Sequence, residues 1–329
     1  MKNSAILACI PIISVLVACS EAEVESVPCT TDRECLIQVA DDYLKALVAH
    51  SPQSLSLAED FRFIENLERK NPGEGLWQTA SALPGDFRIY VPDTLSRQVG
   101  FIGVMEENGK PIELALRLYV VDGQIQAAEH LIARNLREAG LTNLQSPRPG
   151  LLSTIPEAER MPRSELLTIG YSYYDALNLN DGSLAPFADD CVRRENGLQT
   201  SSNPVPANGA GEFSVFGTLG CAEQLDTGTM SYIDAIDNRR VNIADPETGL
   251  VFGLSHFRHS MTNKTIAIKG VPGITSREVN FDPFDLPAAH IFKISEGMIH
   301  EIEAMGFQAP YDSPTGWEGG YRRPQAGNF

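Results

Sequence analysis

The sequence lacks the short motifs that identify common nucleotide-binding and hydrolytic enzymes. It contains no P-loop, no Gly-x-Gly-x-x-Gly fingerprint and no Gly-x-Ser-x-Gly nucleophile elbow. A Ser-His-Asp site assembled from distant residues stays open, although nothing local supports one. Basic residues are also scarce, since 26 Lys and Arg stand against 43 Asp and Glu and give a formal charge of −17. Nucleic-acid binding requires clustered Lys and Arg, so this balance argues against a nucleic-acid partner.

Signals for a membrane span and for a metal centre are missing as well. The apolar N-terminal stretch, residues 5–17, is too short for a comfortable transmembrane helix. His256 and His259 form an H-x-x-H pair, but residues three apart on a strand point to opposite faces. We therefore predict no metal site, and the sequence indicates no cofactor.

The N-terminus has the pattern of an export signal. Lys2 precedes the apolar stretch, which ends Leu16-Val17-Ala18-Cys19. This ending resembles the lipobox of bacterial lipoproteins, and the resemblance implies cleavage before Cys19 and lipidation of that cysteine. An ordinary secretory signal is the alternative. We predict a signal peptide at 1–18, a tether at 19–35, and an exported protein anchored through lipid alone, at the outer membrane or the periplasmic face.

Four cysteines remain once Cys9 leaves with the signal and Cys19 carries lipid. An even remainder in an oxidising compartment predicts two disulfides, Cys29–Cys35 and Cys191–Cys221. Metal ligation is the alternative, but no CxxC spacing or flanking histidine accompanies these thiols.

The rest of the chain is organised around an internal repeat. Residues 43–66 read YLKALVAHSPQSLSLAEDFRFIEN, and residues 173–196 read YYDALNLNDGSLAPFADDCVRREN. Each copy predicts a helix, a short turn and a strand that ends in Glu-Asn. Further along, Asp122-Gly123 matches Glu296-Gly297, which aligns Glu129 with Glu303. We predict domains at 36–136 and 164–306, a linker at 137–163 and a tail at 307–329.

The order of elements in each copy indicates an α+β fold. Helices and a first strand precede a meander of four strands, a pattern that places helices on one face of a curved antiparallel sheet. In the second copy, residues 225–236 predict a third helix.

The sequence here resembles the SnoaL-like branch of the NTF2-like superfamily. The resemblance rests on YLKALVAH, LAEDFRFIEN, VGFIGV and LALRLYVVDGQI in the first copy, and on LAPFADDCVRREN, GLVFGLSHF and IFKISEGMIHEIEAMG in the second. It implies two tandem cone-shaped domains, each with an apolar pocket. The superfamily includes isomerases, dehydratases, cyclases, epoxide hydrolases and non-catalytic binders, and the fold does not select among them.

Two glutamates are the principal candidates for chemistry. Strand alternation places the Glu65 side chain on the same face as Phe61 and Phe63. Burial there would raise the pKa of its carboxyl group toward the range useful for proton transfer. Arg193 shares a face with Glu195, which suggests an Arg-Glu pair in the second pocket. In the alternative interpretation, the Glu-Asn ends cap the following loops and Arg193 forms a salt bridge at the surface or between domains.

Further candidates come from the alignment of the two copies and from the resemblance. His256 lies on a segment that matches an inward strand, and core packing is the alternative role for the aromatic residues. We predict catalytic roles for Glu195, His256 and Glu65, and ligand-binding roles for Arg193, Asn196, Tyr232, Trp77 and Glu303.

These residues predict an exported, cofactor-independent lyase, isomerase or hydrolase. It would act by acid-base catalysis on a small apolar or cyclic organic ligand, with the second domain as the main site. The alternative is a lipoprotein that binds a ligand or takes part in an assembly without chemistry. The outer sheet faces of the two copies could form an internal pseudo-dimer, or could support a homo-oligomer.

Overall fold

The computed structural model describes residues 32–205 and 215–318. The predicted signal peptide, the lipidation site Cys19 and the disulfide partner Cys29 lie outside the described residues. So does the part of the predicted tail beyond residue 318. None of the described helices is long and apolar enough to cross a membrane.

The first domain begins with a helix whose start and buried face follow directly from the sequence. The Asp32 carboxylate accepts a hydrogen bond from the Cys35 N–H at 2.8 Å and so caps the first turn. Leu36, Tyr43 and Leu47 recur at helical spacing and are all buried. The elements of this domain are α1 (Arg33–Val48), a 3-10 turn (Pro52–Ser54), β1 (Leu57–Glu65), β2 (Glu68–Lys70), α2 (Leu76–Thr79), β3 (Ala80–Ala82), β4 (Arg88–Asp93), β5 (Gln98–Glu107), β6 (Lys110–Val121) and β7 (Gln124–Ala133).

These strands form one sheet in the order β2-β1-β7-β6-β5-β3, with β4 also paired to β5. All pairs are antiparallel except β1 with β7, which is parallel. Strands that are joined by a hairpin must be antiparallel. β1 and β7 are separated by the whole meander, so they can pair in either direction. α1 packs on the face of the sheet that carries Phe63, Phe101 and Leu116.

The second domain repeats this plan. Its elements, with the connection that precedes them, are α3 (Glu138–Leu141), α4 (Pro149–Leu152), a 3-10 turn (Glu157–Glu159), α5 (Arg163–Leu179), a 3-10 turn (Gly182–Leu184), β8 (Phe187–Glu195), β9 (Leu198–Gln199), α6 (Val215–Thr218), α7 (Cys221–Asp226), β10 (Ala235–Asp245), β11 (Leu250–His259), β12 (Thr265–Ala267), β13 (Ser276–Glu278), β14 (Phe284–Ser295), β15 (Met298–Gly306) and β16 (Ala309–Pro310). The main sheet has the order β10-β11-β14-β15-β8-β9, with β16 paired to β14, and β12 and β13 form a separate pair. The predicted fold class, two tandem α+β domains with curved sheets, is confirmed.

One predicted element of the second domain is wrong. Residues 225–236 do not form a third helix, because α7 ends at Asp226 and β10 begins at Ala235. Gly228 adopts a positive φ of 78°, a conformation that terminates helices. The predicted Cys191–Cys221 disulfide is present and joins β8 to the start of α7.

The two sheets pack against each other through the faces that point away from their helices. Side chains alternate along β5 and β6. Phe101 and Leu116 face the helix side of the first sheet, whereas their neighbours Ile102 and Ala115 face the second domain. The buried contact between the domains contains Phe87, Ile89, Val91, Ile102, Ala115, Leu131, Ile243, Leu250, Phe252, Leu254, Ala289, Ile291 and Met305.

Segments outside the two sheets bind the halves together. Arg148, between α3 and α4, donates hydrogen bonds to the carbonyls of Val192 and Ile302 at 2.9 and 3.0 Å. Near the end of the described chain, the Trp317 ring lies 5.7 Å from the guanidinium carbons of both Arg62 and Arg117. The connection therefore packs on the second domain, and the start of the tail reaches the first.

Candidate functional site

A cavity of about 440 Å³ opens on the inner side of the second sheet. Its walls come from α5, from the strands β8, β11, β14 and β15, and from the loop that follows α7. Residues 134–137, which follow the last strand of the first domain, close one side. The lining consists of Arg134, Asn135, Leu136, Arg137, Tyr173, Leu177, Glu195, Asn196, Leu198, Thr200, Met230, Tyr232, Ile233, Phe257, His259, Leu286, Ala288, His290, Ala304, Met305 and Gly306.

Strand pairing identifies which residues of the two domains are equivalent. Glu65 pairs with His130, and Glu195 pairs with Ala304, so Ala304 takes the position of His130. Across the next strand, His130 pairs with Leu116 and Ala304 pairs with His290. His290 therefore replaces Leu116.

The same register explains why the second domain has space where the first is filled. Leu114 pairs with Ile132 in the first sheet, whereas Ala288 pairs with Gly306 in the second. Phe101 is likewise replaced by Gly253, but there Tyr174 and Val241 fill the space. The volume released at Ala288 and Gly306, which both line the cavity, contributes to it.

In the first domain the predicted residue Glu65 belongs to a packed polar core. Its Oε2 accepts a hydrogen bond from the Leu76 N–H at 2.8 Å and lies 3.5 Å from His130 Nδ1. His130 Nε2 is hydrogen-bonded to the Tyr43 hydroxyl at 2.9 Å. Burial raises the pKa of Glu65, but His130 and the Leu76 N–H outweigh it and the pKa is lowered. Trp77 is also buried, with its ring edge-on to Tyr43 at 5.2 Å.

Glu195 occupies the equivalent position in the second domain and lines the cavity. Its Oε1 lies 2.8 Å from Arg193 Nε and accepts a hydrogen bond from Thr200 Oγ1 at 3.1 Å. The side chain is 47% exposed, whereas the Arg193 side chain is 1% exposed. Arg193 therefore lies in the wall behind the cavity, and the carboxylate lies where cavity and solvent meet.

Arg193 is held by several groups besides Glu195. Its Nε donates to Thr200 Oγ1 at 3.0 Å, and its Nη2 donates to Gln224 Oε1. Nη1 has no hydrogen-bond partner within the described chain. Burial opposes the charge, but Tyr173 and Glu195 raise the pKa of Arg193, which stays cationic.

Two tyrosines, Tyr173 and Tyr232, line the cavity. Burial raises the pKa of Tyr173 to about 12, although the neighbouring Arg193 acts in the opposite direction. Burial likewise raises the pKa of Tyr232, whose hydroxyl contacts Met230 Sδ at 3.7 Å. Both hydroxyls therefore keep their protons near neutral pH and can donate hydrogen bonds.

Two histidines on the inner face are kept neutral. Burial lowers the pKa of His259 to about 4, and burial together with Arg193 lowers the pKa of His290 to about 3. The His259 ring stacks on Phe284 with ring centroids 4.1 Å apart, and His290 Nδ1 lies 3.2 Å from the Tyr174 hydroxyl. These imidazoles are polar and uncharged at neutral pH.

Asn196 lines the cavity, and its amide also has a structural role. Its side chain donates to the Gly306 carbonyl and accepts from the Gly306 N–H, at 2.9 and 2.8 Å. Asn66 makes the same pair of hydrogen bonds with Ile132. The asparagine of the recurring Glu-Asn sequence therefore has a structural role in both domains, because it hydrogen-bonds the end of β1 to β7 and the end of β8 to β15.

Two predicted residues lie on the opposite side of the sheet from the cavity. His256 was expected to face inward, but along β11 it is Phe257 and His259 that line the cavity, so alternation turns His256 outward. Its Nε2 is hydrogen-bonded to Ser313 at 3.2 Å. Glu303 also points outward, 3.2 Å from Arg148 Nη2, and burial raises its pKa to about 7.

Sequence reasoning missed Tyr173, His259 and His290 as lining residues. Tyr173 stands in the repeat itself, and the alignment of Glu129 with Glu303 pairs Leu116 with His290 and His130 with Ala304. The available signal was the replacement of a large inward residue, His130, by a small one, Ala304, at the aligned position of the second domain. Within residues 32–205 and 215–318, no group of three or more His, Cys, Asp or Glu side chains is placed to hold a metal ion.

A family described as a domain of unknown function, DUF8021, matches residues 159–306. No curated protein matches the chain. Similar solved structures include a putative polyketide cyclase from Silicibacter sp. TM1040, with a TM-score of 0.28 and 17% identity over 44% of this chain and 90% of the other. A putative ketosteroid isomerase from Kribbella flavida has a TM-score of 0.24 and 12% identity over 50% and 93%. An NTF-2 like protein of unknown function from Burkholderia xenovorans has a TM-score of 0.26 and 10% identity over 49% and 94%.

Proposed function

We propose that the second domain binds a small, largely apolar or cyclic organic molecule and transfers a proton on it without a cofactor. The reaction would be of the lyase, isomerase or hydrolase kind. One observation carries the proposal: a cavity of about 440 Å³ brings a carboxylate, two tyrosines and two neutral histidines together with apolar side chains, and polar residues at 134, 135, 137, 196 and 200 complete its lining. Polar groups that converge in an apolar concavity are typical of ligand sites.

Glu195 is the proposed base. Its side chain forms an ion pair with Arg193, and the hydrogen bond from Thr200 fixes its orientation. Because the side chain is half-exposed, a proton taken from the ligand could pass on to solvent. A base must reach the proton it removes within hydrogen-bond distance, and Glu195 lies on the cavity wall.

The first domain is proposed to act as a scaffold. Its equivalent carboxylate, Glu65, is enclosed by His130 and Leu76 in a packed interior. Residues 134–137 close one side of the second cavity, and the outer face of the first sheet supports the second. For the whole chain we propose export, with a lipid on Cys19 as the anchor.

Non-catalytic binding is the second candidate, and the surroundings of Glu195 favour it. Arg193 neutralises the carboxylate, and histidines with a pKa of about 3 and about 4 are weak bases. A binding protein would use the same cavity without chemistry.

The test starts from the small molecules of the native compartment. Immobilised protein should retain a compound from that pool, which is then incubated with fresh protein and followed by liquid chromatography and mass spectrometry. Conversion of the retained compound supports the enzyme. If the compound is retained but not converted, over times at which spontaneous reaction is absent, the protein is a binding protein and the proposal of an enzyme fails.

A further inference from the structure

The first domain contributes a segment of its own to the cavity of the second. Residues 134–137 follow the last strand of the first domain, and all four line the cavity. Asn135 adopts a positive φ of 58°, a conformation that asparagine tolerates and that turns the chain away from the strand. The helix that follows packs closely on the second domain, since a methyl group on Gly140 would lie 2.6 Å from the Asn196 carbonyl oxygen. The segment is therefore held at the edge of the cavity.

Arg134 is fixed within this segment by an ion pair with the first domain. Its Nε and Nη2 donate to the two carboxylate oxygens of Glu107 at 2.5 and 2.8 Å. Glu107 Oε1 also accepts a hydrogen bond from Thr79 Oγ1 at 2.8 Å. The pair occupies one edge of the guanidinium, and within residues 32–205 and 215–318 the remaining nitrogen, Nη1, meets no acceptor. A rigid arginine thus keeps free donors at the cavity.

Arg137 and Asn135 add further donors beside it. Both side chains are exposed, and neither forms a hydrogen bond or an ion pair with another described residue. The alignment of Glu129 with Glu303 places residues 308–311 at the equivalent positions of the second domain, and these contain no cation. The two arginines are therefore a feature of the first domain that serves the cavity of the second.

The charges around the cavity leave one cation without a counter-charge. The lining holds two guanidinium groups and one carboxylate, in a protein with a formal charge of −17. Glu195, the carboxylate, forms its ion pair with Arg193 in the wall, and Glu107 offsets Arg134. The two histidines of the lining are neutral. Arg137 is the cation that remains, and an anion is the complement of such a set of donors.

We infer that the cavity takes an organic anion, whose apolar body lies inside and whose carboxylate or other oxyanion is bound at the mouth by Arg134 and Arg137. The inference rests on the cavity of the proposed function and not on catalysis by Glu195. Apolar contacts for the body come from Phe257, Leu286 and their neighbours in the lining. The site is composite, since the cavity belongs to the second domain and the cations to the first.

The test compares 3-phenylpropionate with 3-phenylpropionamide, which have nearly the same shape and differ in charge. Affinity for the full chain is measured by ligand-observed NMR titration. At about 0.02 M salt the carboxylate should bind about three- to tenfold more tightly, as expected for ion pairs at a partly exposed mouth. The ratio should fall toward one at about 0.5 M salt, because screening weakens exposed charges. In a parallel titration, 2-phenylethyl phosphate distinguishes the two sources of the oxyanion: tighter binding than the carboxylate assigns the subsite to phosphate esters, and weaker binding assigns it to carboxylates.

Variants locate the preference. Arg137→Gln should lower the ratio of the two affinities, Arg137→Lys should retain most of it, and Arg137→Gln combined with Arg134→Gln should bring it to about one. Arg69→Gln is the matched control, because Arg69 is exposed outside the cavity lining, and it should leave the ratio unchanged.

Three outcomes would overturn the inference. Equal affinities of the two probes in the wild-type protein, or a preference that survives the double arginine variant, would remove the anion subsite and leave the cavity as a binding site. Binding of neither probe would remove both. Glu195→Gln should keep or increase the preference for the carboxylate, so failure of the proposed catalysis is recognised separately.

Discussion

At the junction of the two sheets, Gly100 in β5 faces the ring of Phe252 in β11. A methyl group on residue 100 would lie 2.4 Å from Phe252 Cγ, far inside van der Waals contact. Because Phe252 is buried and held by the contact between the domains, the ring cannot move away freely. Gly100→Ala should therefore destabilise the protein by about 1–3 kcal/mol, the usual cost of overpacking.

Removal of the ring should reduce that effect. Phe252→Ala alone should cost about 3–5 kcal/mol, because it leaves a cavity between the sheets. In the Phe252→Ala background, the added methyl group no longer meets the ring but still lies 2.8 Å from the Cβ of residue 252. Gly100→Ala should then cost less than about 1 kcal/mol, because the emptied space lets the remaining contact relax and alanine loses less chain entropy on folding than glycine.

The assay is urea unfolding of the wild-type protein, the two single variants and the double variant, with the disulfide intact. The four free energies of unfolding form a double-mutant cycle with an expected coupling of about 1–2 kcal/mol. Gly85→Ala is the matched control, because a methyl group there meets nothing within 4 Å, and its effect should stay within about 0.5 kcal/mol. An equal cost of Gly100→Ala in both backgrounds would refute the packing argument.

Two further predictions concern solution conditions. Because burial lowers the pKa of His290 to about 3 and of His259 to about 4, each of these imidazoles binds more protons in the unfolded chain than in the folded one below about pH 6.5. The contribution of each histidine to the free energy of unfolding should therefore fall between pH 7 and pH 4, by up to about 1.4 kcal/mol per pH unit, while Glu303, whose pKa burial raises to about 7, contributes in the opposite direction. His290→Leu should make the free energy of unfolding fall less, or rise more, than in the wild-type protein over this range, and an unchanged slope would contradict the assignment. The Cys191–Cys221 bond spans a sequence separation of 30, and its selective reduction should cost about 3–4 kcal/mol of stability. Peptide mapping without reductant should recover this linked pair, whereas free thiols at both positions in protein from its native compartment would contradict it.

The repeat made most of the fold predictable from the sequence. A helix face at Tyr43 and Tyr173, followed by a strand that ends in Glu-Asn, appears in both domains as expected. The same periodicity placed Glu195 on an inward face, and Glu195 lines the cavity. Residues 225–236 were harder, because their apolar spacing suits a helix while Gly228 takes a left-handed conformation that ends one.

The contents of the cavity were less predictable, since strand alternation gives two possible faces and only the register selects one. His256 was assigned by matching its segment as a whole to an inward segment of the first copy, and alternation within that segment turns His256 to the other face. Ala304 and Gly306 carry no chemistry of their own and attract no notice in a single sequence. Their meaning depends on the residues they replace, His130 and Ile132, and pairing between strands was needed to see it.

The central claim is that the second domain carries the activity, and a comparison of two glutamate variants in one assay tests it most directly. Turnover of the retained compound should fall by about two orders of magnitude or more in Glu195→Gln, as expected when a general base is lost. Glu65→Gln, measured per folded molecule, should have a much smaller effect, because Glu65 is enclosed in the packed interior of the first domain. The reverse ranking, or equal turnover by both variants and the wild-type protein, would contradict the claim.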